Sequence, residues 1–403
     1  MDFHNTDDSL TRRVRAFTDR VARLKAEDLY YLNMPVAEIL PGMKVRVNGR
    51  EMGMYASYSY LGLVGHPRIN EAAKKAVDQF GTGTNGVRML AGTLTLHKEL
   101  EETIANFKHA EAAVTYSSGY VTNLTVISSL MGRGDYVFSD KLNHASIVDG
   151  CLMSGAEFRR FRHNNMEHLE GLLKNAPADV AKMVVADAVF SMDGDIIDLP
   201  KIVALCKKYK AWLMIDEAHS VGVLGKTGTG IEEHFDMYGS IDIKMGTLSK
   251  TIPSVGGYVA ANRDIITYLS HASRAYMFSA ALPPAQAAAA NEAFKVILDE
   301  PWRVERLNVN TKQFIGGLKS MGFDTMLTET AIVPILCGED DVAFAMTREA
   351  QHNDVFVLPV ASPAVPEGLA RLRATVTAAH EPSEIERAMD VISEAGKKLG
   401  VIK

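Results

Sequence analysis

Cysteine is scarce in this sequence and irregularly placed. Cys151, Cys206 and Cys337 stand far apart, odd in number and without a CxxC spacing. Such cysteines suggest neither a disulfide framework nor a zinc site. A reducing compartment, the cytoplasm, fits such usage best. No apolar run reaches the ~20 residues that a membrane span requires. The opening stretch MDFHNTDDSLTRRVRAF has no apolar leader core. Charge is not one-sided either. The 43 basic and 49 acidic residues leave a net −6, spread along the chain, which argues against nucleic acid or an anionic membrane as the main partner. Repeats, low-complexity tracts and the GxxxxGK[ST] phosphate loop are all missing.

What is present is ordinary globular material. The 403 residues are 47% hydrophobic and 23% charged, enough for two or three domains and a sizeable core. Residues 8–32 read as a helix, with Val14, Phe17, Val21 and Leu24 at helical spacing. A turn at Pro41-Gly42 leads to KVRVNGREMGMYAS, where Asn48-Gly49 signals a hairpin. From about residue 66 helix and strand alternate. His66 to Phe80 and Gly119 to Leu130 read as helices; AAVTYSS, DYVFSD, KMVVADAVF, AWLMIDEAHS and IDIKMGTLSK read as strands. Near-continuous apolar strands in such alternation predict a mainly parallel sheet covered on both faces, with ligands beyond the strand ends. The composition shifts near Pro283-Pro284. Beyond about residue 300 a smaller α+β unit is expected, with strands TAIVPILCG, VFVLPV and RLRATVTAA and a closing helix from Ser383. The expected division is an arm over 1–50, a large domain over 51–295 and a small domain over 296–403.

Five polar clusters could carry chemistry. Lys250 follows an apolar strand among Thr247, Ser249 and Thr251, where an amine could form a Schiff base; a phosphate-binding or exposed loop lysine is the plainer reading. Asp216 ends the strand AWLMID, and a carboxylate there needs a partner or a protonated ligand; a capping or metal-binding aspartate would look similar. SSGYVTN places small residues before a helix whose free N–H groups suit a phosphate. His144, in SDKLNHASIVDG, offers a titratable ring, although single histidines more often serve structure. Arg371 and Arg373 share one strand face and could fork a carboxylate, although most such pairs are solvated.

Together these stretches resemble the α-oxoamine synthases, enzymes that use pyridoxal 5′-phosphate (PLP). The order YSYLGL, GTGTNGVRMLAGTLTLHKELE, YSSGYVTN, SDKLNHASIVDG, FSMDGDIIDLP, IDEAHSVGVLG, GTLSKTIPSVGGYVA, MFSAALPPA and ARLRATVTAAHE runs from about residue 30 to the C-terminus. The resemblance implies an α/β fold of PLP fold-type I, aspartate aminotransferase-like. Its large domain would carry a mainly parallel seven-stranded sheet, beside a smaller C-terminal α+β domain. It implies PLP held covalently by Lys250, and Asp216 paired with the ring nitrogen. His219 and Ser191 would lie near the phenolic oxygen, and His144 over the ring. The backbone amides of Gly119 and Tyr120 and the Thr247 hydroxyl would take the phosphate, joined by Ser279 and Ala280 from the other subunit of a homodimer with shared sites. Arg373 would hold the amino-acid carboxylate, and no metal is implied.

The implied reaction removes the α-proton of an amino acid with Lys250 and attacks an acyl-CoA or acyl-carrier-protein thioester. It then releases thiol and CO2 to leave an α-amino ketone, with His144 bonding first the carboxylate and then the thioester carbonyl. Within the family the chain most resembles bacterial serine palmitoyltransferases, so serine and a long-chain acyl-CoA are expected, with glycine or alanine also possible. RLRATVTAAHE looks more like aminooxononanoate synthase, and Val87 like aminoketobutyrate CoA ligase. A condensing enzyme of secondary metabolism is a further alternative. From a different class, a PLP aminotransferase shares the fold. A catalytically dead partner subunit is disfavoured because Lys250, Asp216, His144 and Arg373 are all present. Tyr58, in SYSYLGL, stands where the family motif usually has Asn, near the substrate carboxylate and thioester.

Overall fold

The computed structural model describes residues 8–32 and 35–403; the polar opening read at residues 1–7 lies outside them. Strands β4 (Ala112–Tyr116), β5 (Tyr136–Asp140), β6 (Glu157–Phe161), β7 (Lys182–Asp187), β8 (Trp212–Asp216), β9 (Ile243–Thr247) and β10 (Gly257–Ala261) form one seven-stranded sheet in the order β4-β10-β9-β8-β7-β5-β6. Before them β1 (Ala37–Leu40), β2 (Lys44–Val47) and β3 (Arg50–Met54) make an antiparallel meander, with Asn48 and Gly49 at positive φ in the β2–β3 turn as a type I′ hairpin requires. In the large sheet only β10 runs against its neighbours. Strands β7, β9 and β10 are buried at every position, which is why they read as apolar runs rather than alternating ones.

Two cores cover the faces of this sheet. One is built on Phe138, Val184, Ile215, Tyr258 and Phe294, the other on Val114, Val137, Val185, Met214 and Val259. The alanine-rich helix Pro284–Asp299 packs on helices Pro67–Phe80 and Thr95–Phe107, and its small side chains let the backbones approach. Phe294 pins this contact, its ring 4.9 Å from that of Phe107. Pro67 and Pro284 sit in first helical turns, where a missing N–H costs nothing.

The C-terminal sheet has the order β11-β14-β13, from β11 (Ile332–Gly338), β13 (Leu358–Val360) and β14 (Ala370–Thr375). VFVLPV is not one strand. Its first part, β12 (Val355–Phe356), pairs parallel to β3, and its second, β13, pairs with β14. The segment thus serves two sheets, a long-range pairing that apolar content does not reveal. The closing helix is Pro382–Lys398, capped by Glu381 rather than started at Ser383. The first helix is Ser9–Ala26, shorter than 8–32, and of its apolar stripe only Leu24 is buried. Arg371 and Arg373 are both buried, not solvated. Among the described residues no helix is long and apolar enough to cross a membrane, and no cluster of side chains is suited to a metal ion.

Candidate active site

Every strand of the large sheet that supplies a polar cluster delivers it to one edge. Ser118 follows β4, His144 follows β5, Asp187 and Asp216 end β7 and β8, and Thr247 ends β9. Because β10 runs the other way, its first residue, Gly257, lies at the same edge. A cavity of ≈ 260 Å³ opens there, lined by Gly119, Tyr120, His144, Ser191, Asp216, His219, Thr247 and Lys250.

One end of the cavity is a cup for an anion. Ser118 caps helix Gly119–Leu130 by accepting from Val121 N at 3.2 Å. The N–H groups of Gly119 and Tyr120 are therefore first-turn donors, at the positive end of the helix dipole. Thr247 Oγ1 lies against this turn and bonds Ser249 Oγ (2.9 Å) and Gly256 O (3.1 Å). The cup has no room for added carbon. A Cβ on Gly119 would stand 2.9 Å from Thr247 Oγ1, and one on Gly257 would stand 2.3 Å from Thr122 Oγ1 and 2.8 Å from Gly119 Cα. The glycine pair after Lys250 thus lets β10 pass directly under the helix start.

At the opposite end Asp216 is buried. It accepts from Asn123 Nδ2 (2.7 Å) and Ala218 N (2.9 Å). Asn123 Nδ2 also donates to Ser146 Oγ (2.9 Å). That hydroxyl is then free to donate to His144 Nδ1 at 2.7 Å, which places the neutral imidazole proton on Nε2. His144 itself is exposed at the cavity rim. Burial, then the positive charges of Lys250 and Arg373, hold His219 well below the ordinary histidine pKa. The Tyr60 phenol, pushed up to about 12 mainly by its own burial, donates to His219 Nδ1 at 2.6 Å. His219 therefore also presents Nε2–H.

Lys250 Nζ makes no hydrogen bond or ion pair with any described residue. Burial lowers its pKa, opposed by Asp216 and Asp187 and reinforced by Arg373. Arg373 donates through Nε to Ser191 O (2.6 Å) and through Nη1 to Thr375 Oγ1 (3.2 Å), while its buried Nη2 has no partner. Arg371 donates through Nη1 to Met192 O (3.2 Å) and Asp193 Oδ1 (2.8 Å). Tyr58 lies between the two cations of the site, its ring 4.8 Å from Arg373 Cζ and 6.0 Å from Lys250 Nζ. Ser279 and Ala280 do not line the cavity of their own chain; Ser279 Oγ meets Ser117 Oγ at 3.5 Å and Ala280 bridges to Val87.

The donor set fits PLP. An N–H and hydroxyl cup suits a phosphate, a buried carboxylate suits a protonated ring nitrogen, and an unpartnered amine suits an aldehyde carbon. Sequence reading overlooked Asn123, Ser146, Asp187 and the place of Ser249. Asp187 ends an apolar strand as Asp216 does, and that shared signal would have found it.

The chain is similar to known proteins over most of its length. The sequence profile of the aminotransferase class I and II family matches residues 54–392. The 8-amino-7-oxononanoate synthase of Thermoanaerobacter pseudethanolicus is 43% identical over 373 residues, 92% of this chain and 94% of that one. Among solved structures, a serine palmitoyltransferase from S. paucimobilis with a bound PLP–myriocin aldimine superposes with a TM-score of 0.93 at 35% identity, covering 98% of this chain and all of that one. An 8-amino-7-oxononanoate synthase from Francisella tularensis gives a TM-score of 0.74 at 27% identity, over 85% of this chain and 97% of its own.

Proposed function

The chain belongs to the aminotransferase class I and II family, in its α-oxoamine synthase branch, and from that premise we propose that it condenses a small amino acid with an acyl thioester. Thiol and CO2 leave, and an α-amino ketone remains. That it is a PLP-dependent acyltransferase follows from the family. The observation that supports the condensing reading is the pairing of an unpartnered Lys250 amine with the idle, buried Nη2 of Arg373. One awaits a carbonyl and the other a carboxylate.

When bound, PLP supplies an electron sink for charge developed at the amino-acid α-carbon. In this reading Asp216, held in place by its hydrogen bonds from Asn123 and Ala218, pairs with the ring nitrogen and keeps it protonated. His219 and Ser191 face the phenolic oxygen. Gly119, Tyr120 and Thr247 hold the phosphate, with Ser279 and Ala280 of a second copy completing that cup in a homodimer. Arg373 binds the substrate carboxylate. Lys250, its pKa lowered, takes the α-proton as a neutral amine. His144, through Nε2–H at the rim, bonds the carboxylate and then the thioester oxygen as charge collects there. A cytoplasmic location accompanies this reading.

For the substrates we favour serine and a long-chain acyl thioester, on the support of the 0.93 TM-score to serine palmitoyltransferase against 0.74 for the oxononanoate synthase. The 43% identity to an oxononanoate synthase supports a second reading. A product with adjacent 8-amino and 7-oxo groups and a terminal carboxylate derives from alanine and a seven-carbon diacid thioester. The test pairs serine, alanine and glycine with palmitoyl-CoA and heptanedioyl-CoA, measuring thiol and CO2 together. Serine with palmitoyl-CoA is expected to release both. A preference for alanine with heptanedioyl-CoA selects the second reading. If no pair releases both, or nitrogen transfers without thioester use, the condensing function fails.

A further inference from the structure

Asp187 is a second carboxyl in the same cavity, and the roles assigned above leave it unused. It ends β7 directly opposite Asp216 in the parallel register of β7 and β8, it lines the cavity, and it is only 4% exposed. The two acids are supported unequally. Asp216 accepts two hydrogen bonds, whereas Asp187 accepts one through Oδ2, from His144 N at 3.1 Å. Its Oδ1 is buried without a partner. The charged groups that face it are Asp216 on β8, Asp140 on β5 and Lys250 after β9, and no described cation lies within ion-pair distance. A buried carboxylate so poorly paired is expensive. Taking up a proton removes that cost and converts the idle oxygen into a donor.

We propose that Asp187 works as a neutral carboxylic acid whose O–H donates a hydrogen bond to an anionic oxygen of the bound ligand, either the phenolate of PLP or the carboxylate of the amino acid. Burial, then the Asp216 charge, raises its pKa well above the carboxylate range, against Lys250 and the His144 N–H. The inference rests on the PLP site but not on the choice of acyl donor, so its experiment omits the thioester.

The experiment compares the PLP-loaded wild type with Asp187→Asn and Asp187→Ala, reading the pH midpoint of the cofactor's visible band and the dissociation constant for serine. Asparagine keeps a neutral donor, so its midpoint is expected within about 0.3 pH unit of wild type and its serine affinity within about twofold. Alanine separates the two oxygens. A midpoint moved by about one unit identifies the cofactor oxygen. An unmoved midpoint with serine bound about tenfold more weakly identifies the substrate carboxylate. If Asp187 is instead ionised, Asp187→Asn removes a negative charge beside the Lys250 nitrogen and lowers the midpoint by a unit or more, which overturns the proposal. Identical behaviour of all three proteins overturns it too. Infrared spectroscopy of wild type with carboxyl-labelled aspartate needs no variant. A protonated-carboxyl band is expected at pH 7, and its absence refutes the neutral acid.

Discussion

Replacing Glu217 by Gln should cost far more than its chemistry suggests. Glu217 follows Asp216 and is completely buried. Its Oε2 lies 2.6 Å from Lys108 Nζ, whose side chain is 2% exposed. Its Oε1 accepts from Ser220 Oγ (3.1 Å) and Ile231 N (3.0 Å), and Lys108 also donates to Thr229 O. Glutamine preserves shape but leaves the ammonium buried beside a neutral amide. Removing one partner of such a pair costs about 3–5 kcal/mol. For 403 residues unfolding as one unit, an unfolding entropy of roughly 2.1 cal/mol/K per residue gives ~0.85 kcal/mol/K, so the melting temperature should fall by roughly 4–6 °C. The double variant Lys108→Met with Glu217→Leu should recover most of that loss, because neither charge remains to be desolvated. Calorimetry of the two single variants and the double variant measures the coupling, and PLP affinity reports whether Asp216 has shifted with its neighbour. A single-variant loss under 1 °C, or a double variant no better than the sum of the singles, refutes the reasoning.

Gly119→Ala should weaken PLP binding by about tenfold or more while the fold survives, since the added carbon intrudes on Thr247 at the cup; equilibrium dialysis with PLP checks this. Lys250→Ala should abolish the borohydride-fixable bond to the cofactor, and mass spectrometry after reduction would detect any surviving adduct. Phe294→Ala should cost about 3–5 kcal/mol by opening a cavity between three helices, read as a lowered denaturation midpoint. His163 bonds Asp140 Oδ1 (3.0 Å) and Asp195 Oδ2 (2.9 Å). Against the burial that would lower it, these carboxylates raise its pKa to about 10. A raised folded-state value stabilises fully below about pH 6.5 and is lost as pH climbs through about 10. Wild type should therefore lose more melting temperature between pH 7 and 10 than His163→Gln, and equal slopes would show that the clamp carries no linked proton.

The central sheet was legible because its strands are buried on both faces, so that KMVVAD and WLMID stand out as unbroken apolar runs ending in acid. Lys250 and Asp216 stood out for a related reason: one follows and the other ends an apolar strand, where a polar residue has few structural uses, whereas Arg373 lies inside β14 and stood out only by its alternation with Arg371. What hid was whatever depends on contacts across long sequence distances. Asn123 looks like an ordinary helix residue until Asp216, from a strand 93 residues on, arrives beside it. The division of VFVLPV between two sheets is set by β3 and β14, not by its own composition. The exposed Val14 and Phe17 carry the periodicity of a buried face, and periodicity alone does not say what covers it.

The grip of β14 on the turn after Phe190 sets terms for any anion that enters. Arg371 and Arg373 rivet the C-terminal sheet to three consecutive residues, Ser191, Met192 and Asp193. An anion that draws Arg373 through Nε must first prise a backbone carbonyl loose and so slacken the seam between the two sheets. One that takes Nη2 breaks no hydrogen bond, because that donor is idle. A single guanidinium thus distinguishes two ways of arriving: one that breaks a bond joining β14 to the turn after Phe190, and one that leaves that bond in place.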